Sequence, residues 1–264
     1  MPPHGATDSD LQAHALYRDA LSLLTRSGIP YLVGGAYALR HYTGVDRSTR
    51  DFDVFVAPAD CPRVLECFAR AGYETELTYP FWLGKCRRGD HYVDIIFSSG
   101  NGVATVDPEW FDRGVAAVVL GRQVCLIPPE EMIWSKAFVM ERERFDGADV
   151  IHLIRSRGST LDWDRLMRRF EPHPHVLLAH ILLFEFVYPE SADLVPPRVR
   201  RALLDATRDG HGPAASVCRG TLLSRSQYQI DLERGYHDAR VQPHGDLRPE
   251  DLARWNDEGL TSSR

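Results

Sequence analysis

The chain has 264 residues, 44% of them hydrophobic and 26% charged, which suits a folded core and excludes collagen-like, coiled-coil and wholly disordered chains. Its 31 basic and 37 acidic residues leave a net charge of −6, which argues against a broad basic coat for nucleic acid and leaves open a local patch. No run approaches the ~18 apolar residues of a membrane helix. Met1-Pro2-Pro3-His4-Gly5 lacks the basic-then-apolar order of a secretory signal. The five cysteines, Cys61, Cys67, Cys86, Cys125 and Cys218, form no Cys-x-x-Cys pair. Reduced thiols and a cytoplasmic location are expected, with no membrane partner.

Residues 1–8 read as a loose arm. Over 10–26, Leu11, Leu16, Ala20, Leu23 and Leu24 recur near helical spacing, and Gly28 follows as a stop. Residues 31–33 form a short apolar strand, which Gly34-Gly35 turns into a second helix over 36–42. Residues 44–50 are a polar, Arg-rich loop. Residues 51–56 alternate as a strand does. A helix follows over 58–71, then strands over 73–77, 81–86 and 92–98. The segments 115–120 and 123–127 flank Gly121-Arg122 as a hairpin. After Pro128-Pro129 strand signals nearly vanish. Helices are predicted over 130–144, 147–155, 162–170, 176–187 and 197–207, with a weaker one over 227–239. The predicted organisation is an α+β domain over 1–128, a helical domain over 129–242 and a polar, mobile tail over 243–264.

Chemistry is carried by three short pieces. Leu32-Val33-Gly34-Gly35-Ala36 is a strand, a diglycine and a helix start. Such a turn presents backbone N–H groups where the helix dipole favours an anion, a seat for phosphate, although it is also common as plain structure. In Asp51-Phe52-Asp53 the residues two apart share one strand face. Both carboxylates then point one way while Phe52, Val54 and Val56 point inward. Adjacent carboxylates repel unless a cation sits between them, and hard oxygen ligands suit Mg²⁺. The alternative is a solvated strand face. Tyr92-Val93-Asp94-Ile95-Ile96-Phe97 sets one carboxylate in an apolar strand, which is costly unless it is paired or metal-bound. If the two strands are neighbours, three carboxylates converge, the acid set of a two-metal displacement at phosphorus.

This ordered set resembles the DNA polymerase β-like nucleotidyltransferase superfamily, on Gly34-Gly35, Asp51-x-Asp53 and Asp94. The stretch 32–53, and the pattern from Pro129-Glu130-Glu131 to Lys136 and on to Asp149, is similar to small bacterial minimal and abortive-infection-type members. The resemblance implies an α+β fold, a nucleotidyltransferase-type mixed sheet flanked by helices, followed by a helical C-terminal domain. It implies that Gly34 and Gly35 hold a nucleoside triphosphate, with ATP first in line. Asp51 and Asp53 bind Mg²⁺, two ions in all, and Asp94 completes the metal site and serves as base. Arg47, Arg50 and Lys136 are expected to reach the nucleotide's phosphates, set against ordinary solvated charges. The activity implied is transfer of a nucleoside monophosphate to an acceptor hydroxyl, on a small molecule such as an antibiotic, on tRNA or on protein, with release of pyrophosphate. The alternative is a non-catalytic nucleotide-sensing module, or a toxin–antitoxin partner, on the same fold.

Other polar groups read as structure. Glu141-Arg142-Glu143-Arg144 is expected to be a solvated salt-bridge face. Asp146 and Asp149 are expected to cap a helix junction. His173, His175, His180, His237 and His244 lack zinc spacing. Arg198, Arg200 and Arg201 make a local basic surface that suits either an acidic acceptor or plain solvent.

Overall fold

In the computed structural model, which describes residues 8–47, 49, 51–209 and 216–261, the first half of the chain builds one seven-stranded mixed sheet. Its strands are β1 (Leu32–Val33), β2 (Asp51–Phe55), β3 (Glu74–Tyr79), β4 (Leu83–Arg88), β5 (His91–Ile96), β6 (Val115–Val119) and β7 (Arg122–Leu126). They lie in the order β3-β4-β5-β2-β1-β7-β6. β2 runs parallel to β5 and β1 parallel to β7, while the other neighbours are antiparallel. The helices of this half are α1 (Asp8–Ser27), α2 (Gly35–Thr43), α3 (Cys61–Arg70) and α4 (Pro108–Asp112).

The alternation in β2 decides which face is covered. Phe52, Val54 and Val56 are completely buried, whereas Asp51 and Asp53 stay half-buried. Tyr17 of α1 stacks on Phe52 with ring centroids 4.9 Å apart, and Tyr37 of α2 meets the same ring edge-on at 5.2 Å. α3 buries Val64 and Phe68 and lies against β4, where Gly84 leaves room for Leu65 and Cys61. One face of the sheet is thus closed by aromatic and aliphatic side chains, and the acids are on the other.

From Pro129 the chain is helical, with α5 (Pro129–Ala137), α6 (Gly147–Arg157), α7 (Trp163–Arg169), α8 (Pro174–Val187), α9 (Pro197–Asp209), α10 (Gln229–Glu233) and α11 (Pro249–Thr261). A short parallel pair, β8 (Val217–Cys218) with β9 (His237–Asp238), lies among them. Chain contacts divide the protein into two compact units, one reaching Gly100 and including Thr105–Pro128, the other taking Asn101–Ala104 and everything from Pro129. In the second unit Glu131 is fully buried and accepts from Arg165 at 2.5 Å and Arg169 at 3.0 Å, which ties α5 to α7. Its carboxyl is pushed up to about 7 by burial, against the pull of the two guanidiniums. The fold is α+β, a mixed sheet flanked by helices followed by a helical region. No helix among the described residues is long and apolar enough to cross a membrane.

Several boundaries differ from the sequence expectation. The hairpin turns on Leu120-Gly121, one residue early, with Leu120 at φ +51°, so Arg122 opens β7. The predicted helix over 130–144 stops at Ala137. The chain then bends back on itself, pairing Met140 with Phe145, while Glu141 accepts from the Ser224 hydroxyl at 2.5 Å and the Arg225 N–H at 2.8 Å. Those partners are more than 80 residues away, so no local pattern announces them. Only Gln229–Glu233 of the predicted helix over 227–239 is helical. The expected mobile tail carries α11, with Leu247 and Leu252 buried. His180 is buried with a ring nitrogen 2.8 Å from the Ala137 carbonyl. Arg198 pairs with Asp164, and Arg200 with Glu185.

Candidate functional site: three carboxylates beside a glycine turn

The parallel register of β2 and β5 sets Asp51 opposite Tyr92 and Asp53 opposite Asp94. Facing residues of neighbouring strands share a face, so Asp51, Asp53 and Asp94 gather on the sheet face opposite Phe52 and Val54. Each offers a carboxylate oxygen within 4.8 Å of those offered by the other two. Asp94 is the buried member, 9% exposed, and the other two are half-buried. The Thr49 hydroxyl donates to Asp51 Oδ1 and so orients that carboxylate.

The glycine turn is fitted to this cluster. The Gly34 N–H donates to the Asp53 carbonyl at 3.0 Å, and a Cβ on Gly34 would lie 2.3 Å from the Phe55 ring. Gly35 has φ +55°, a conformation that side chains strain to adopt, and its Cβ would stand 1.7 Å from Asp53 Oδ2. The space above Gly35 is therefore filled first by the Asp53 carboxylate. α2 begins at this point, and the first N–H groups of a helix lack partners within it.

A fourth side chain belongs to the cluster and was missed in the sequence. Lys85 of β4 pairs in register with Asp94, and its Nζ lies 3.2 Å from Asp94 Oδ1 and 4.4 Å from the centre of the Tyr92 ring. The signal was present. Gly89-Asp90 is a two-residue turn flanked by the pair Arg88 and His91, and counting back from it sets Lys85 across from Asp94. Burial raises the Asp94 carboxyl above the ordinary carboxylate range, the Lys85 ammonium pulls it back, and Asp51 raises it further.

These residues fit a divalent cation. The donors are hard carboxylate oxygens, as Mg²⁺ prefers. Asp94 Oδ1 is buried with the Lys85 ammonium 3.2 Å away, and three carboxylates brought within 4.8 Å of one another are a crowding of negative charge that a divalent cation relieves.

Arg47 is exposed in the loop after α2, and Arg50 lies outside the described residues. Lys136 belongs to the second unit, where its Nζ is 2.9 Å from Asp146 Oδ2 and 2.8 Å from Asp149 Oδ2. Asp146 precedes α6 but makes no side-chain cap there. Its carboxylate goes instead to Lys136 and Arg144.

No model of a known protein family and no curated protein matches this chain. Among solved structures it is similar to ANT(2")-Ia in complex with adenylyl-2"-tobramycin, at 20% identity over 48% of this chain and 75% of that one, with a TM-score of 0.37. The lincosamide antibiotic adenylyltransferase LnuA, lincomycin-bound, is 17% identical over 53% of this chain and 94% of its own, with a TM-score of 0.39. An antigenic nucleotidyltransferase-like protein from Paracoccidioides brasiliensis is 16% identical over 71% and 91%, with a TM-score of 0.43.

Proposed function

We propose that this chain is a metal-dependent nucleotidyltransferase that moves a nucleoside monophosphate from a nucleoside triphosphate, ATP first among them, to an acceptor hydroxyl, releasing pyrophosphate. The observation that supports it is the convergence of Asp51, Asp53 and Asp94 next to the Gly34-Gly35 turn. Asp51, Asp53 and Asp94 would hold Mg²⁺, as two ions. Bound there, the metal supplies charge neutralisation of the triphosphate and polarisation at phosphorus. Asp51 and Asp53 are half-buried and so keep part of their surface open to a charged substrate. Asp94, raised by burial, is suited to take the acceptor hydroxyl's proton on a carboxylate oxygen. The start of α2 presents backbone N–H groups for phosphate oxygens. Arg47 and Arg50 shortly precede β2 in the sequence and would add positive charge for the triphosphate. Lys136 is held by two aspartates in the other unit, and the reading rests on the first unit alone.

The acceptor is a hydroxyl of a small molecule such as an antibiotic, of tRNA or of a protein. The test is transfer of label from α-labelled nucleoside triphosphates, with Mg²⁺, into tRNA, protein and a panel of hydroxylated antibiotics, with pyrophosphate read in parallel. Pyrophosphate release that needs both the metal and Asp53 supports the enzyme. Nucleotide binding that is equally tight in EDTA sinks it.

A further inference from the structure

Of the 31 basic residues, only Lys85 and Lys136 are lysines, and both stand against aspartates. They are held differently. Lys136 has two carboxylates within 3 Å and a side chain 17% exposed. Lys85 has one carboxylate at 3.2 Å, the face of Tyr92, and a side chain 34% exposed. The sheet register puts Lys85, Asp94 and Asp53 in one lateral row across β4, β5 and β2. On the outer side, Glu76 of β3 is opposite Lys85 as well. An ammonium on a flexible stem, unlike a guanidinium fork, grips a carboxylate through a point charge and lets go of it readily. Here it lies in register between Asp94 and Glu76, with a third of its side chain exposed.

We infer that Lys85 is a displaceable counter-ion of Asp94: its ammonium holds the third carboxylate while nucleotide is absent and yields it to the divalent cation that arrives with the triphosphate. This rests on the proposed metal site at Asp51, Asp53 and Asp94. A fixed positive charge beside a metal ligand opposes a bare cation. An incoming triphosphate offers the displaced ammonium a better partner than Asp94 and brings negative charge that favours the metal. Metal loading is thereby coupled to nucleotide binding, and the site stays poorly occupied without it.

Mn²⁺ titration of the full chain by calorimetry, with and without an ATP analogue carrying a methylene between the α and β phosphates, tests this in wild type, Lys85→Met and Lys85→Arg. Wild type should bind Mn²⁺ weakly alone and at least tenfold tighter with the analogue. Lys85→Met should bind Mn²⁺ alone about tenfold tighter than wild type, with the gain from the analogue reduced by the same factor, and Lys85→Arg should bind Mn²⁺ alone no tighter than wild type and gain less from the analogue, because its fork releases Asp94 less readily. Lys85→Met within twofold of wild type in both titrations overturns the counter-ion role. Asp53→Asn separates the two readings, since Mn²⁺ binding that survives in it at wild-type strength means the carboxylate site itself is misassigned. Should Lys85→Met melt far below wild type, the native chain gives the answer. Amine acylation followed by peptide mass spectrometry reads Lys85 against Lys136. Saturating Mn²⁺ should speed acylation at Lys85 severalfold with Lys136 unchanged, and an unchanged rate at Lys85 overturns the proposal.

Discussion

Gly35 and Asp53 occupy one space: the Cβ that Gly35 lacks would fall 1.7 Å from Asp53 Oδ2. A side chain there has to move the carboxylate or shift the start of α2. Gly35→Ala should therefore weaken Mn²⁺ binding at least tenfold, even though alanine adds only a methyl. The positive φ adds about 1–2 kcal/mol of instability. Calorimetry and urea melts on one preparation give both values. Wild-type Mn²⁺ affinity in Gly35→Ala would show that Asp53 takes no part in metal binding.

Asp94→Asn should separate stability from turnover. The carboxyl is raised by burial and by Asp51, so its charge costs the metal-free fold something that Lys85 only partly returns. Asparagine keeps the volume and drops the charge. We expect a metal-free melting temperature equal to or above wild type, with nucleotidyl transfer reduced by about 10²–10⁴-fold, the range of a lost general base. A destabilised variant with undiminished transfer would make Asp94 a structural acid.

Acid should act on the second unit through Asp146. Burial would raise its carboxyl, but hydrogen bonds from Arg144 and the charge of Lys136 outweigh this and hold it at about 2, against an ordinary 3.8. A group lowered in the folded state contributes stability above its unfolded value and loses it as pH falls through the folded one. Asp146→Asn should thus be about 2 kcal/mol less stable than wild type at pH 6, with the gap closing from about pH 4 to pH 2. Urea melts across that range are the measurement. A gap that ignores acid would assign the loss to shape instead of charge.

Tyr17 gives a test of the covered face. Its ring stacks on Phe52, yet its hydroxyl is buried without a hydrogen-bond partner. Tyr17→Phe keeps the stack and removes the unsatisfied group, so it should melt at or above wild type, by up to about 1 kcal/mol. Tyr17→Ala should cost about 3 kcal/mol, as loss of a buried ring does. A Tyr17→Phe variant less stable than wild type would reveal a partner for the hydroxyl.

The sheet half of the fold was legible because its signals are local. The alternation of Asp51 to Val56 is a two-residue period, and the lone charge of Asp94 marks an apolar strand. Their adjacency was conditional in the sequence, since parallel pairing leaves no local trace. Lys85 was legible in principle through the Gly89-Asp90 turn, but its strand was read over 81–86 without a register. The bend over 138–146 was not legible at all. Its polar side chains look solvated until Ser224 and Arg225 arrive from far along the chain.

Insertions are not equally tolerable along this chain. The chain just after Gly44, ahead of Thr49, could lengthen with little effect on the acids, because the diglycine is tied to β2 directly, through the Gly34 N–H and the Asp53 carbonyl. Gly89-Asp90 has no such slack. One residue gained or lost there would slide β4 past β5 by a step and reverse every β4 side chain. Cys86 or Gly84 would then come level with Asp94, and the Lys85 ammonium would be driven into the apolar layer beneath Leu65. Length variation among descendants of this sequence should accumulate before β2 and be purged between β4 and β5.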